Sequence, residues 1–324
     1  RPFEEGPSVQ EMVDEPALDL HPALPSVFPF DSLHKHQELA LRHARDDKHI
    51  VVATGTGSGK TEAFLLPVID HCLKMRTANE PDGVAAVVVY PMNALADDQL
   101  RRLRTVLAGT HITFGRYTGA TPEGKDAVSG VKVMEHARKH TAEEKALLDK
   151  GRDEQVPRPW EECLCREEIR ERKPRILLTN YSQLEYLLLR DRDLDLFRNA
   201  PLRFLVFDEV HTYTGALGSE VACLIRRLRH VAGKAPHETL CIGTSATVQD
   251  TDGKLDAKKA TRNFAQRLFG IPADAIELVT ERYQQTVDPD EDLYVPPPPK
   301  TPRGLLAELL DAVRDLQLQD EVAV

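Results

Sequence analysis

An apolar run at positions 50–54 leads straight into Thr54-Gly55-Thr56-Gly57-Ser58-Gly59-Lys60-Thr61, and a helical pattern follows. No other stretch limits the possible folds so sharply. Alternating glycines release the backbone from Cβ clashes, so successive N–H groups can turn inward and cradle phosphate oxygens. The positive end of the following helix favours the same negative charge. Lys60 is then placed to reach the β- and γ-phosphates, and the Thr61 hydroxyl to ligate Mg²⁺. The general pattern asks for glycine where Thr54 stands; Gly57, Gly59, Lys60 and Thr61 keep the rest of it. The plainer reading is a glycine-rich turn with a solvent lysine, and it loses once a second motif is found.

That motif is Phe204-Leu-Val-Phe-Asp208-Glu209-Val210-His211, an apolar run ending in two carboxylates. Taken alone, acidic residues at a strand end are usually just solvated. Downstream of a phosphate loop they have work to do: Asp208 can hold Mg²⁺, and Glu209 can orient or deprotonate an attacking water.

Further apolar runs at 85–90, 112–117, 175–179 and 239–243 are near-continuous rather than alternating, the pattern of a parallel sheet covered on both faces. Helical patterns lie between them, such as Leu217, Val221, Leu224, Ile225 and Leu228 on one helix face. Alternating strand and helix predict a doubly wound, mostly parallel α/β fold. Ligands in such sheets bind outside the carboxyl ends of the strands.

Composition closes off other classes. In 324 residues, 41% hydrophobic and 29% charged, no apolar run nears the roughly 20 residues needed to span a bilayer. No secretory leader opens the chain, which reads as cytoplasmic and without a membrane partner. Its start at Arg1, amid prolines and acids, reads as a segment of a longer protein. Five cysteines without a CxxC pair argue against a disulfide framework or zinc site; Cys163 and Cys165 read as two thiols in a loop-rich insertion. The net charge of −10 does not exclude nucleic acid, because a contact strip depends on local charge.

Residues 1–30, with six prolines among acids, are expected to form an extended arm. A globular domain is expected over 31–285, interrupted by a polar, charged, helical insertion at about 120–174. Beyond it, the run Pro296–Pro299 forms a stiff spacer before an amphipathic helix at 306–316, so 286–324 read as a linker toward an absent second lobe. Arg101, Arg102 and Arg104, like Arg226, Arg227 and Arg229, read as solvated faces or salt-bridge donors. Phe28 or Phe30 reads as a hydrophobic staple rather than an adenine stack.

The chain resembles superfamily 2 helicases. Asp208-Glu-Val-His211 looks like a DExH box. Ser245-Ala246-Thr247 is similar to the motif coupling nucleotide turnover to the nucleic-acid site. Tyr90-Pro-Met-Asn93-Ala-Leu-Ala96, Tyr117-Thr118-Gly119 and Thr179-Asn180-Tyr-Ser182 resemble strand-gripping motifs, and Gln37 sits where the adenine-reading glutamine lies. The set is in family order over roughly residues 30–280. Asp208 through Gly215, Gly218-Ser-Glu-Val-Ala, Arg226-Arg-Leu228 and 180–190 resemble the Lhr-like and MrfA-like branch, and large antiphage helicases such as the DISARM helicase DrmA. The insertion is longer than in the simplest members.

This resemblance implies a RecA-like ATP-binding lobe using ATP and Mg²⁺. It implies catalytic roles for Lys60, Asp208, Glu209 and His211. Nucleotide contacts would come from Gln37, Thr56, Gly57, Ser58, Gly59, Lys60 and Thr61, and metal contacts from Thr61 and Asp208. Asn93, Thr118, Gly119, Thr179 and Asn180 would hold nucleic acid, and Ser245 and Thr247 would couple the two sites. The implied activity is that of an ATP-driven 3′-to-5′ DNA helicase or translocase in antiphage defence or DNA repair, with possible partner subunits. Nothing here resembles the arginine motif of the second lobe, so the isolated lobe is expected to be nearly inactive. An RNA helicase, or an ATP-gated binding or scaffolding module that never unwinds, remains the alternative.

Overall fold

The computed structural model describes residues 3–55, 57–246 and 254–284. Thr56, Thr247 and the segment 285–324 lie outside the described residues. Eight strands form one sheet: β1 His49–Ala53, β2 Ala86–Tyr90, β3 Phe114–Tyr117, β4 Glu162–Cys163, β5 Ile176–Asn180, β6 Phe204–Phe207, β7 Leu240–Ser245 and β8 Ile276–Thr280. Their order is β4-β3-β5-β2-β6-β7-β1-β8, and every pairing is parallel. The doubly wound α/β class expected from the apolar runs is the fold observed.

The runs are continuous because both faces of the sheet are buried. Ile50 and Val52 join one core with Val88, Val206 and Ile242, while Val51 joins the other with Val87, Leu205 and Cys241. The first face carries α1 Lys35–Arg45, α2 Lys60–Thr77 and α3 Asn93–Leu107; the second carries α4 Tyr181–Leu187, α5 Gly215–Val231 and α6 Lys254–Phe269. On α5 Val221, Leu224, Ile225 and Leu228 of the stripe read from the sequence are buried, together with Arg229, while Leu217 is half-buried.

Residues 3–30 are not an extended arm. Short helical turns at Val9–Val13, Pro16–Leu18 and Leu24–Val27 bury Val9, Met12, Leu18, Leu24 and Phe28 in the first core. Polar ties fix this packing: Arg42 donates to both carboxylate oxygens of Glu15 at 2.8 Å, and the His21 amide donates to Asp70 at 2.6 Å. The prolines set φ and start or end turns, but the apolar residues between them decide where the segment goes. Phe28 is the staple; Phe30 is 39% exposed.

Within 120–174 the helical content is shorter than expected, Ala142–Asp149 and Arg166–Arg172. The insertion also adds β4 to the sheet edge beside β3. Among the described residues, no helix is long and apolar enough to cross a membrane.

Candidate nucleotide and nucleic-acid sites

Register decides which residues meet. Ala53 lies beside Ser245, and Phe207 beside Gly243. The phosphate loop after β1, the acidic pair after β6 and the end of β7 therefore emerge together at the carboxyl edge of the sheet. The loop closes on itself and on this edge. Thr54 and Ser58 hydroxyls lie 2.7 Å apart, and the Thr54 amide donates to the Ser245 carbonyl at 3.3 Å. Gly57 and Gly59 adopt φ of 77° and 80°, the left-handed region where a side chain is strained. A Cβ on Gly59 would come within 2.3 Å of the Gln37 amide nitrogen. Gln37 reaches this loop by donating to the Gly59 carbonyl at 3.0 Å while accepting from the His34 amide at 2.9 Å. Thr61 is half-buried in the first turn of α2.

Lys60 heads α2, and its ammonium pairs with Glu209 at 3.2 Å and the Ser245 carbonyl at 3.3 Å. Thus the candidate phosphate lysine and candidate base lie against each other. Burial raises the Asp208 carboxyl above its ordinary value; a hydrogen bond from Thr244 pulls it down, and the adjacent Glu209 charge raises it again. Glu209 holds φ 49° and ψ 52°, a left-handed conformation uncommon for a residue with a side chain. His211 Nδ1 lies 3.2 Å from both Glu209 and the Ser245 hydroxyl. Lys60, Asp208, Glu209, His211 and Ser245 thus form one cluster.

Thr244 was missed by the sequence reading. Its hydroxyl donates to Asp208 and accepts from the Glu209 amide at 3.1 Å, and it is fully buried. The available signal was a threonine beside Ser245 whose side chain must, by strand alternation, serve the neighbouring position. Glu281 was missed too; it accepts from the Gly55 amide at 2.8 Å.

The expected strand contacts divide. Asn93 and Gly119 are exposed and Asn180 half-buried, with the Asn180 amide donating to Asn93 at 2.6 Å and its oxygen capping α4 through the Gln183 amide. Thr118 and Thr179 correct the reading: both are fully buried. Thr179 donates to the Tyr117 carbonyl at 2.7 Å, and the Thr118 amide donates to Thr121 at 2.9 Å. They anchor the loop ends from inside and present no group to an external strand.

The arginine clusters are mostly ion-paired, Arg102 with Glu62, Arg104 with Glu162 and Arg227 with Glu185. Arg229 is instead buried, donating to Thr239 and the Phe269 carbonyl. Cys163 and Cys165 are buried free thiols.

An all-parallel sheet with a phosphate loop after β1 and paired carboxylates after β6, the two strands flanking β7, defines a RecA-like P-loop lobe. The chain belongs to the DEAD/DEAH box helicase family, whose profile matches residues 34–148 and 160–254. It is 30% identical to the Druantia protein DruE of Escherichia coli over 74% of this chain and 17% of that protein. It is 28% identical to the uncharacterized ATP-dependent helicase YprA of Bacillus subtilis over 67% and 23%. The DUF1998 helicase MrfA bound to DNA and AMPPNP superposes with a TM-score of 0.55 and 26% identity, over 86% of this chain and 30% of that one. The chain therefore spans less than a quarter of these curated relatives.

Proposed function

We propose that this chain is the ATP-binding lobe of an ATP-driven 3′-to-5′ DNA helicase or translocase, working in antiphage defence or DNA repair. The observation that carries the nucleotide half is the single cluster of Lys60, Asp208, Glu209, His211 and Ser245 beside a left-handed glycine loop. DNA is preferred over RNA because the MrfA neighbour is bound to DNA. In this reading residues 31–285 are the ATP-binding domain, and 286–324 lead to a second lobe of the same full-length protein.

ATP fits the loop: Gly57 and Gly59 leave the backbone bare, Gln37 stands beside it, and Lys60 has only Glu209 as an anionic partner among the described residues. A divalent cation fits as well. Two carboxylates at one strand end, one of them raised by burial, call for added positive charge, and hydroxyl and carboxylate oxygens suit Mg²⁺. Thr61 and Asp208 would hold it, and when bound it neutralises charge on the β- and γ-phosphate oxygens. Lys60 leaves Glu209 for the phosphates. That frees Glu209 to take a proton from the attacking water, while Thr244 keeps Asp208 and Glu209 in place. Ser58 and Thr56 complete the loop. Asn93, Gly119 and Asn180 touch the strand backbone, and Ser245 with Thr247 passes the state of Glu209 and His211 to the neighbouring lobe.

The test is strand displacement by the full-length protein on DNA duplexes with 3′ or 5′ overhangs and on matched RNA. ATP-dependent opening only from 3′ DNA tails is expected. ATP turnover without displacement on any duplex would sink the helicase reading in favour of a gated binding module, and preference for RNA would sink the DNA assignment.

A further inference from the structure

The insertion surrounds a basic cavity that the nucleotide chemistry does not use. Its volume is about 160 Å³, and Leu100, Arg104, Arg116, Thr121, Val131 and Arg158 are among its walls. Two of its arginines are compensated. Arg104 makes a bidentate pair with the buried Glu162, both bonds 2.7 Å, and Arg116 pairs with Asp97. Arg158 is different: among the described residues, no carboxylate lies within ion-pairing distance of its guanidinium. Burial pulls Arg158 below its ordinary value, and nearby Arg104 adds to this, while Glu162 and Asp153 oppose it. Arg101 and Asp153 also act on Arg158 but pair with each other at 3.9 Å. Four guanidiniums against Glu162, Asp97 and Asp153 thus leave one positive charge in a partly enclosed space, and an uncompensated cation there is costly unless an anion arrives.

The cavity is tied to a candidate strand-gripping loop. Thr121, in its wall, donates to the Arg116 carbonyl at 2.7 Å and accepts from the Thr118 amide at 2.9 Å. Exposed Gly119 is two residues away. On the other side α3 starts at Asn93 and supplies Leu100 and Arg104 further along. We infer that Arg158 and the cavity around it bind a backbone phosphate of the nucleic-acid strand, so that the insertion extends the contact track beyond Asn93 and Gly119. A planar guanidinium fork suits two phosphate oxygens, and such a contact positions a strand without reading its bases. This rests on the nucleic-acid reading above.

The experiment measures binding of a labelled oligothymidylate to the full-length protein across a salt series, for wild type, Arg158→Gln and Arg158→Lys, with melting temperatures alongside. One lost phosphate contact on a single strand lowers the slope of log K against log salt by about 0.7. Arg158→Gln should show that drop and several-fold weaker binding with an unchanged melting temperature, and Arg158→Lys should keep most of the slope. Wild-type affinity and slope in Arg158→Gln would overturn this inference alone. A fall in affinity with lower melting temperature and unchanged slope would mark a structural arginine and overturn it too. If wild type binds no oligothymidylate, the nucleic-acid reading falls and takes the inference with it. Loss in the glutamine variant of a protein partner's binding, with oligothymidylate binding intact, would assign the cavity to an acidic peptide instead.

Discussion

Along the carboxyl edge of the sheet, the ends of β1, β6 and β7 carry side chains engaged with one another, whereas the ends of β2, β3 and β5 carry few such ties. At the first end Lys60 lies on Glu209, Thr244 on Asp208, His211 on Ser245 and Gln37 on Gly59. At the second, Asn93 and Asn180 hold each other, and Thr118 and Thr179 are buried anchors. A site for chemistry needs groups held to a fraction of an ångström in advance. A track for a moving strand, the role proposed for the second end, needs stable loops with free outer surfaces, and buried hydroxyls supply the stability there.

The largest effects should come from breaking the engaged end. Lys60→Ala in the full-length protein should abolish nucleotide-dependent activity and ATP binding together. Glu209→Gln should keep ATP binding while turnover falls on the order of 10²–10⁴-fold, the usual contribution of a positioned base. A filter-binding assay beside a phosphate-release assay separates the two; equal loss of ATP binding in both variants would refute the division of roles.

Thr244→Val tests whether the engagement matters beyond the residues that touch substrate. It keeps the β-branched shape but removes the hydroxyl that joins Asp208 to the Glu209 amide. Turnover should fall at least tenfold with little change in KM for ATP, and Thr244→Ser should restore much of it. Equal activity of Val and Ser variants would make the hydroxyl irrelevant.

Next in size is the packing of the amino-terminal segment. Phe28 is 1% exposed, and Phe28→Ala should cost about 3–5 kcal/mol of stability. A chemical-denaturation midpoint unchanged from wild type would show that residues 3–30 do not belong to the core.

Ser245→Ala with Thr247→Ala should leave ATP turnover within a few-fold of wild type while strand displacement falls, because neither hydroxyl is assigned to phosphate or metal. Parallel loss of both activities with a lower melting temperature would point to a purely structural role.

The smallest effect is a pH dependence. Burial lowers His49 from 6.5 to about 4, and its neutral Nδ1 accepts from the Cys241 amide at 3.0 Å. A depressed folded-state value means full stabilisation above about 6.5, lost as pH falls toward 4. His71 is lowered to about 4 by burial as well. Melting temperature should therefore drop as the pH goes from 6.5 to 4, and His49→Gln should flatten part of that drop.

Much of this lobe was legible in the sequence. Six strands announced themselves because a sheet buried on both faces requires unbroken apolar runs, and the phosphate loop and acidic pair because few other residue orders serve that chemistry. Three things were not legible, and a fourth, the strand β8, lacked an unbroken apolar run because Glu277 divides it and it is only partly buried. The segment at 3–30 hid its helical turns because its buried residues, Val9, Met12, Leu18, Leu24 and Phe28, follow no single period. β4 has only two residues, too few for any pattern. Thr118 and Thr179 look like surface polar residues because a motif does not say which way a hydroxyl points.

The backbone at Glu209 has a further consequence. Its left-handed φ of 49° is a conformation that glycine or asparagine would adopt with less strain. Neither could take a proton from water. Selection for thermal robustness alone would drive this position toward a small inert residue, and selection for turnover would drive it back to glutamate. With Glu209 in the proposed role of base, the position marks a compromise between stability and reactivity, and stabilising libraries screened without an activity assay should be expected to discard it first.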